Sequence, residues 1–166
     1  GSWTAPAGVT ALRLILVGKG EDGTAGTDGT WDEAGADGVD GIGGLVWAGT
    51  VSINPQQSFS VQIGDNSVFG QYSSANGSRF PFGYTDIASG DSFARTGVQK
   101  PVPGSGDGGA KGLGGIKGNR HREPSYDSEG NPVGSHWEIA NYPGEGTAGQ
   151  AGVSGCVVIY WDKEGA

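Results

Sequence analysis

Two histidines, one cysteine and a scatter of carboxylates are the groups with which this chain could do covalent or metal chemistry. His121 and His136 carry donor atoms for acid–base work or for a metal ion. No nucleophile stands at a spacing that pairs with either, and no ligand cluster is legible around them, so both read as exposed loop residues. Cys156 alternates with Val158 and Tyr160, which makes it a buried structural thiol on one strand face rather than a nucleophile. No catalytic residue and no metal ligand is assigned, and the expectation is a protein that is not an enzyme and needs no cofactor.

Glycine-spaced phosphate motifs arise here by composition. Gly18-Lys19-Gly20-Glu21-Asp22-Gly23 matches a dinucleotide fingerprint after a strand, yet no helix-forming run follows to present its N-terminus to a pyrophosphate. Residues 109–117 lack the Gly-Lys-Ser/Thr ending of a phosphate loop. Residues 20–44 hold seven acidic and no basic side chains. Asp37 and Asp40 share one edge of a three-residue helix, which would suit calcium, but a solvated acidic face is the simpler reading. Asp127, Glu129, Asn131 and Glu138 fall at calcium-loop places, where Pro132 replaces the needed glycine; a plain turn over 129–132 is expected instead.

Binding is the remaining chemistry. Residues 119–143 carry Arg120, His121, Arg122, Tyr126, His136, Trp137 and Tyr142, and residues 71–104 carry Tyr72, Phe80, Phe82 and Tyr84. These are the segments richest in varied side chains, and both read as loops. Guanidinium groups beside aromatic faces suit an anionic polysaccharide or a protein surface. The net charge of −8 disfavours nucleic acid. No apolar stretch approaches the roughly 20 residues of a helical membrane span, so membrane insertion is not expected.

The elements that must position these segments are written in glycine, which supplies 35 of 166 residues. From Gly20 to Gly44 every third residue is glycine except Asp32. The same period holds at Gly106, Gly109, Gly112, Gly115 and Gly118, and again at Gly146, Gly149, Gly152 and Gly155. Three residues is the turn of a polyproline-II helix, and glycine at each third place bares one edge to a neighbouring backbone. The tracts 20–44, 106–118 and 146–155 therefore predict a bundle of polyglycine-II helices, with the glycines as structural contacts. Straight, the first tract would span about 75 Å, so it should fold back near Trp31-Asp32-Glu33 to give at least four antiparallel rods. Gly108 and Gly114 bare a second edge, which places tract 106–118 centrally and the first tract outside.

Apolar, β-branched runs flank the tracts at about 10–18, 45–53, 58–64 and 155–161, with Phe59, Val61 and Ile63 on one face of the third. The fold class expected is all-β: a small antiparallel sheet or sandwich joined to the polyglycine-II bundle, with essentially no α-helix, in a single glycine-rich domain over 1–166.

Trp3-Thr4-Ala5-Pro6-Ala7-Gly8-Val9-Thr10 leads into the first strand, Gly64-Asp65-Asn66-Ser67-Val68-Phe69-Gly70 follows the middle pair, and Gly152 to Tyr160 closes the chain's last strand. In this order the chain resembles the glycine-rich domain of phage tail fibre and tail-tip proteins, although many Asp, Thr and Ala stand where such tracts are almost pure glycine. The resemblance implies a structural virion domain, located in the extracellular tail, that presents loops for host-cell receptor binding. Its implied partners are a bacterial surface polysaccharide or outer surface protein and other tail fibre subunits. The alternatives are a structural spacer or oligomerisation module of a bacterial surface or virion protein, and more distantly an ice-binding protein, for which Thr24, Thr27 and Thr30 are in register.

Overall fold

A computed structural model describes residues 1–79 and 105–161, and its contacts divide the chain into two compact units. Unit one comprises Gly1–Asp22, Gly41–Ala110 and Ala151–Ala166; unit two comprises Gly23–Asp40 and Lys111–Gln150. Among the described residues the only helix is a 3-10 turn, Ser74–Asn76, so the all-β expectation holds.

Unit one carries two four-stranded antiparallel sheets. The first orders β1 (Ser2–Thr4), β4 (Ser58–Gln62), β5 (Val68–Phe69) and β6 (Tyr72–Ser73). The second orders β10 (Cys156–Tyr160), β2 (Ala11–Val17), β3 (Leu45–Ser52) and β7 (Ser78–Arg79). β2 is the organising element. Its unbroken apolar run buries Leu12, Leu14 and Leu16 on one face and Ile15 and Val17 on the other. The first face meets Phe69, Val51, Trp3, Phe59 and Val61, so the core draws on both sheets. Each Leu or Phe buried this completely contributes about 1.5–3 kcal/mol. The second face packs with Val46 and Cys156.

The four strands read from the sequence form with ends within about two residues, the usual scatter of strand boundaries. Ile63 is the exception: β4 stops at Gln62 and Ile63 stands 54 % exposed, outside the face shared by Phe59 and Val61. The expected loop 71–104 begins instead with β6, the 3-10 turn and β7; Phe80, Phe82 and Tyr84 lie outside the described residues. In β3, Gly49 leaves room for the Trp47 ring, because a Cβ there would sit 2.8 Å from it.

The glycine tracts form extended segments that belong to no β-ladder. In unit two, Gly23, Gly26 and Gly29 donate their N–H groups to Gln150, Thr147 and Gly144 at 2.8–3.0 Å. Thr24 and Thr27 donate to Val39 and Ala36, and Gly35 and Gly38 donate to Gly115 and Gly112. Gly112, Gly115 and Gly118 return to Thr24, Thr27 and Thr30. Each ladder advances three residues per bond, the period of the predicted rods. The first tract reverses where expected: Thr30 Oγ1 accepts the amides of Asp32 and Glu33, and the Thr30 amide donates to Glu33. Segments 23–30 and 111–118 run parallel to each other and antiparallel to the other two.

The placement of the first tract differs in part from expectation. Its half 23–30 bonds to all three other segments, as tract 111–118 also does, although Thr24, Ala25, Thr27 and Asp28 stay exposed as the outer placement implied. The reason lies in its side chains. Thr24 Oγ1 accepts the Val39 amide at 2.7 Å, Thr27 Oγ1 the Ala36 amide at 2.8 Å, and Asp28 the Gly146 amide at 2.8 Å. Short polar side chains next to the glycines supply acceptors to neighbouring backbones, so a position that looks solvated in sequence is compatible with packing on several sides.

The glycines permit the approach. A Cβ on Gly112 or Gly115 would collide with the carbonyl oxygens of Thr147 and Gly144, and one on Gly146 or Gly149 with those of Gly26 and Gly23. On Gly118 it would lie 2.6 Å from the Trp31 ring. In unit one the pattern recurs: Gly20 donates to Val153, Gly41 to Gly109, Gly44 to Gly106, and Gly109 to Glu21. A Cβ on Gly152 would strike the Gly20 carbonyl, and Gly106, at φ 68°, adopts a conformation that favours glycine.

Candidate functional site

The acidic residues of the first tract are structural acceptors rather than a solvated face alone. In unit two Asp37 accepts the Gly114 amide at 2.9 Å and the Lys111 ammonium at 2.8 Å, while Asp40 accepts the Lys111 amide at 2.8 Å. The amide first, and then Lys111, holds the Asp37 carboxyl below the ordinary carboxylate range. In unit one Asp22 accepts from Lys19 and from the Gly152 amide, both at 2.9 Å, and is lowered by those two partners in that order. A cleft beside it is lined by Glu21, Asp65, Asn66 and Arg79, and Arg79 pairs with Glu21 at 2.6 Å.

Residues 119–143, expected as a loop, contain a β-hairpin: β8 (Asn119–Tyr126) paired antiparallel with β9 (Pro132–Asn141). The strand signal is hidden because both faces are exposed. β8 shows no apolar alternation, and although Val133, Trp137 and Ile139 share one face of β9, Pro124 and Gly134 mask the pairing. A turn forms, but over 127–130 rather than 129–132, and Pro132 opens β9. Asp127 accepts the amides of Glu129 and Asn131, and Gly130 takes φ 84°. These amides, that of Asn131 foremost, lower the Asp127 carboxyl, so this carboxylate serves the turn.

The hairpin grows from the bend of the first tract. Gly118 donates to Thr30, Gly29 donates to Gly144, and Asn141 Nδ2 donates to the Lys117 carbonyl. Trp31 at the bend packs against Tyr142 with ring centres 5.6 Å apart. The Arg120 guanidinium lies 4.8 Å from the Trp31 ring and 4.6 Å from the Trp137 ring, and Arg122 lies 5.8 Å from Trp137. Trp137 stays 51 % exposed and Tyr142 69 %, so the stack is fixed in place yet open to a partner. Trp31, which the sequence marks only as part of the fold-back, joins this stack as a large aromatic at the phase break.

Strand alternation places the histidines elsewhere. Arg122 faces Trp137 across the hairpin, whereas His121 faces Glu138 and Glu123 faces His136. His121, Glu123, Ser125, His136 and Glu138 therefore share the face opposite Arg120, Arg122 and Trp137. His121 Nε2 lies 2.9 Å from Glu123 Oε1, His136 Nε2 lies 2.9 Å from Glu138 Oε1, and His136 Nδ1 lies 2.9 Å from Ser125 Oγ.

Tyr126 is exposed beside the turn. Tyr72 belongs to unit one, where it is half-buried and stacked on Trp47 at 5.1 Å. Cys156 is buried, its Sγ donates to Ser105 Oγ, and burial pushes its thiol pKa up. No protein-family model, no curated protein and no solved structure matches the chain.

Proposed function

We propose that this chain is a phage tail fibre or tail-tip domain that attaches the virion to its host, its receptor contact made by the 119–141 hairpin. The glycine tracts are polyglycine-II rods in this reading, and their inter-tract bonds at every third residue support it. The observation that carries the functional reading is Arg120 held between Trp31 and Trp137 on an exposed face. Planar rings stack on sugar faces or protein side chains, and guanidinium groups fork onto carboxylate or phosphate. The ligand class is therefore an anionic bacterial surface polysaccharide or an outer surface protein. The guanidinium is preorganised by its ring partners, so less side-chain freedom is lost on binding.

Adsorption of the labelled protein to bacterial cells tests this. Arg120→Ala, Tyr126→Ala and Trp137→Ala together are expected to reduce adsorption at least about tenfold, the loss of one or two strong contacts. Adsorption unchanged in the triple variant overturns receptor contact by the hairpin and leaves a structural spacer or oligomerisation module.

A further inference from the structure

We propose that the other face of the hairpin is a binding site for a zinc-type divalent metal ion, formed by Glu123, His136 and Glu138 with His121 as the fourth ligand. The sequence carries His-x-Glu twice, as His121-Arg122-Glu123 and His136-Trp137-Glu138. Antiparallel pairing sets the two copies against each other in opposite sense, so each histidine faces the other strand's glutamate. The result is a square of two imidazoles and two carboxylates with like groups on the diagonals. Ligand atoms of Glu123, His136 and Glu138 lie within 4.8 Å of one another, and His121 Nε2 is 2.9 Å from Glu123 Oε1.

The donor set selects the metal. Zinc takes four ligands at about 2.0–2.2 Å from imidazole nitrogen and carboxylate oxygen. The ligand atoms of Glu123, His136 and Glu138 need to close by about 1 Å to reach such distances, and His121 turns in from beside Glu123. Calcium prefers six to eight oxygens and gains little from two imidazoles. Each Nε2 lies 2.9 Å from a carboxylate oxygen. For the Nε2 lone pair to bond the metal, any proton on Nε2 passes to Nδ1 or, from a doubly protonated ring, to solvent, and the carboxylate oxygen then bonds the metal as well. For His136, Ser125 Oγ stands ready to accept from Nδ1–H and fixes the ring, as outer partners do in metal sites. The metal cross-links the two strands, and it does so independently of the receptor reading, since Arg120 and Trp137 lie on the opposite face.

Titration of the full chain with zinc chloride, followed by calorimetry and by histidine-ring NMR, decides it. One zinc per chain is expected, with both ring signals moving on one saturation curve and calcium moving neither. Glu138→Gln and His136→Asn should each weaken binding at least about tenfold, and Ser125→Ala by about tenfold, with circular dichroism unchanged. Absence of saturation at millimolar zinc overturns the site. So do ring signals that move at separate concentrations, or affinity unchanged in Glu138→Gln and His136→Asn, which would move the metal to the acidic tract.

Discussion

Asp37 and Gly114, 77 residues apart, are joined by a hydrogen bond of 2.9 Å from the glycine amide to the aspartate carboxylate. The bond explains why an acidic residue stands inside a glycine-rich tract. The same carboxylate also takes the Lys111 ammonium, so it satisfies a backbone donor and a side chain at once. Asp37→Asn keeps an oxygen for the amide but loses the ionic partner; Asp37→Ala loses both. Thermal unfolding should rank wild type above Asp37→Asn and Asp37→Ala lowest. Equal melting of the two variants would remove the amide bond from the explanation.

Acid should weaken the tract packing. The Asp22 and Asp37 carboxyls sit below their ordinary range when folded, so the unfolded chain binds protons first as pH falls. Their contribution is complete above the unfolded value of about 3.9. It declines as pH drops below that and is gone once pH passes the depressed folded value. Melting followed between neutral pH and about pH 3 should fall in that window, and less steeply in Asp22→Asn/Asp37→Asn.

Adding one methyl group at Gly112 should be among the most damaging changes possible in the chain. The Cβ would meet the Thr147 carbonyl and the Gly26 amide, both backbone, so the segments must separate. Gly112→Ala is expected to cost about 3 kcal/mol, the upper end for overpacking. Ala25→Ser, at an exposed place in a neighbouring tract, should stay within about 0.5 kcal/mol. Urea unfolding of the pair measures the contrast.

Thr147 offers a neutral test of side-chain-to-backbone bonding. Its Oγ1 accepts the Leu113 amide at 2.7 Å. Thr147→Val preserves shape and β-branching but not the acceptor, and should destabilise by about 1 kcal/mol in the same assay.

Much of the fold was legible because its signals are local. β2 and β10 are apolar runs bounded by glycine, and the phase failure at Asp32 marks the bend at Thr30–Glu33. What escaped depends on partners distant in sequence. Asp28 reads as a solvent-facing acid until Gly146, 118 residues away, donates its amide to it. β8 escaped because a strand with two wet faces lacks the alternation by which strands are recognised, and β9 because Pro132 and Gly134 interrupt the run that carries Val133, Trp137 and Ile139. The binding residues Arg120 and Trp137 were legible by type. Their division from His121 and His136 onto opposite faces was not, because it follows from the pairing register alone.

The triplet period has a cost for specificity. Two tracts with glycine at every third place can slide past each other by three residues and remake their glycine bonds, so the backbone alone leaves several near-equivalent frames. The Asp and Thr side chains distinguish them. Asp28 meets the Gly146 amide, and a slip of one triplet either way would set Ala25 or Trp31 there, neither of which offers a carboxylate. The residues that interrupt glycine monotony thus work as a vernier, selecting one alignment among many that glycine would accept.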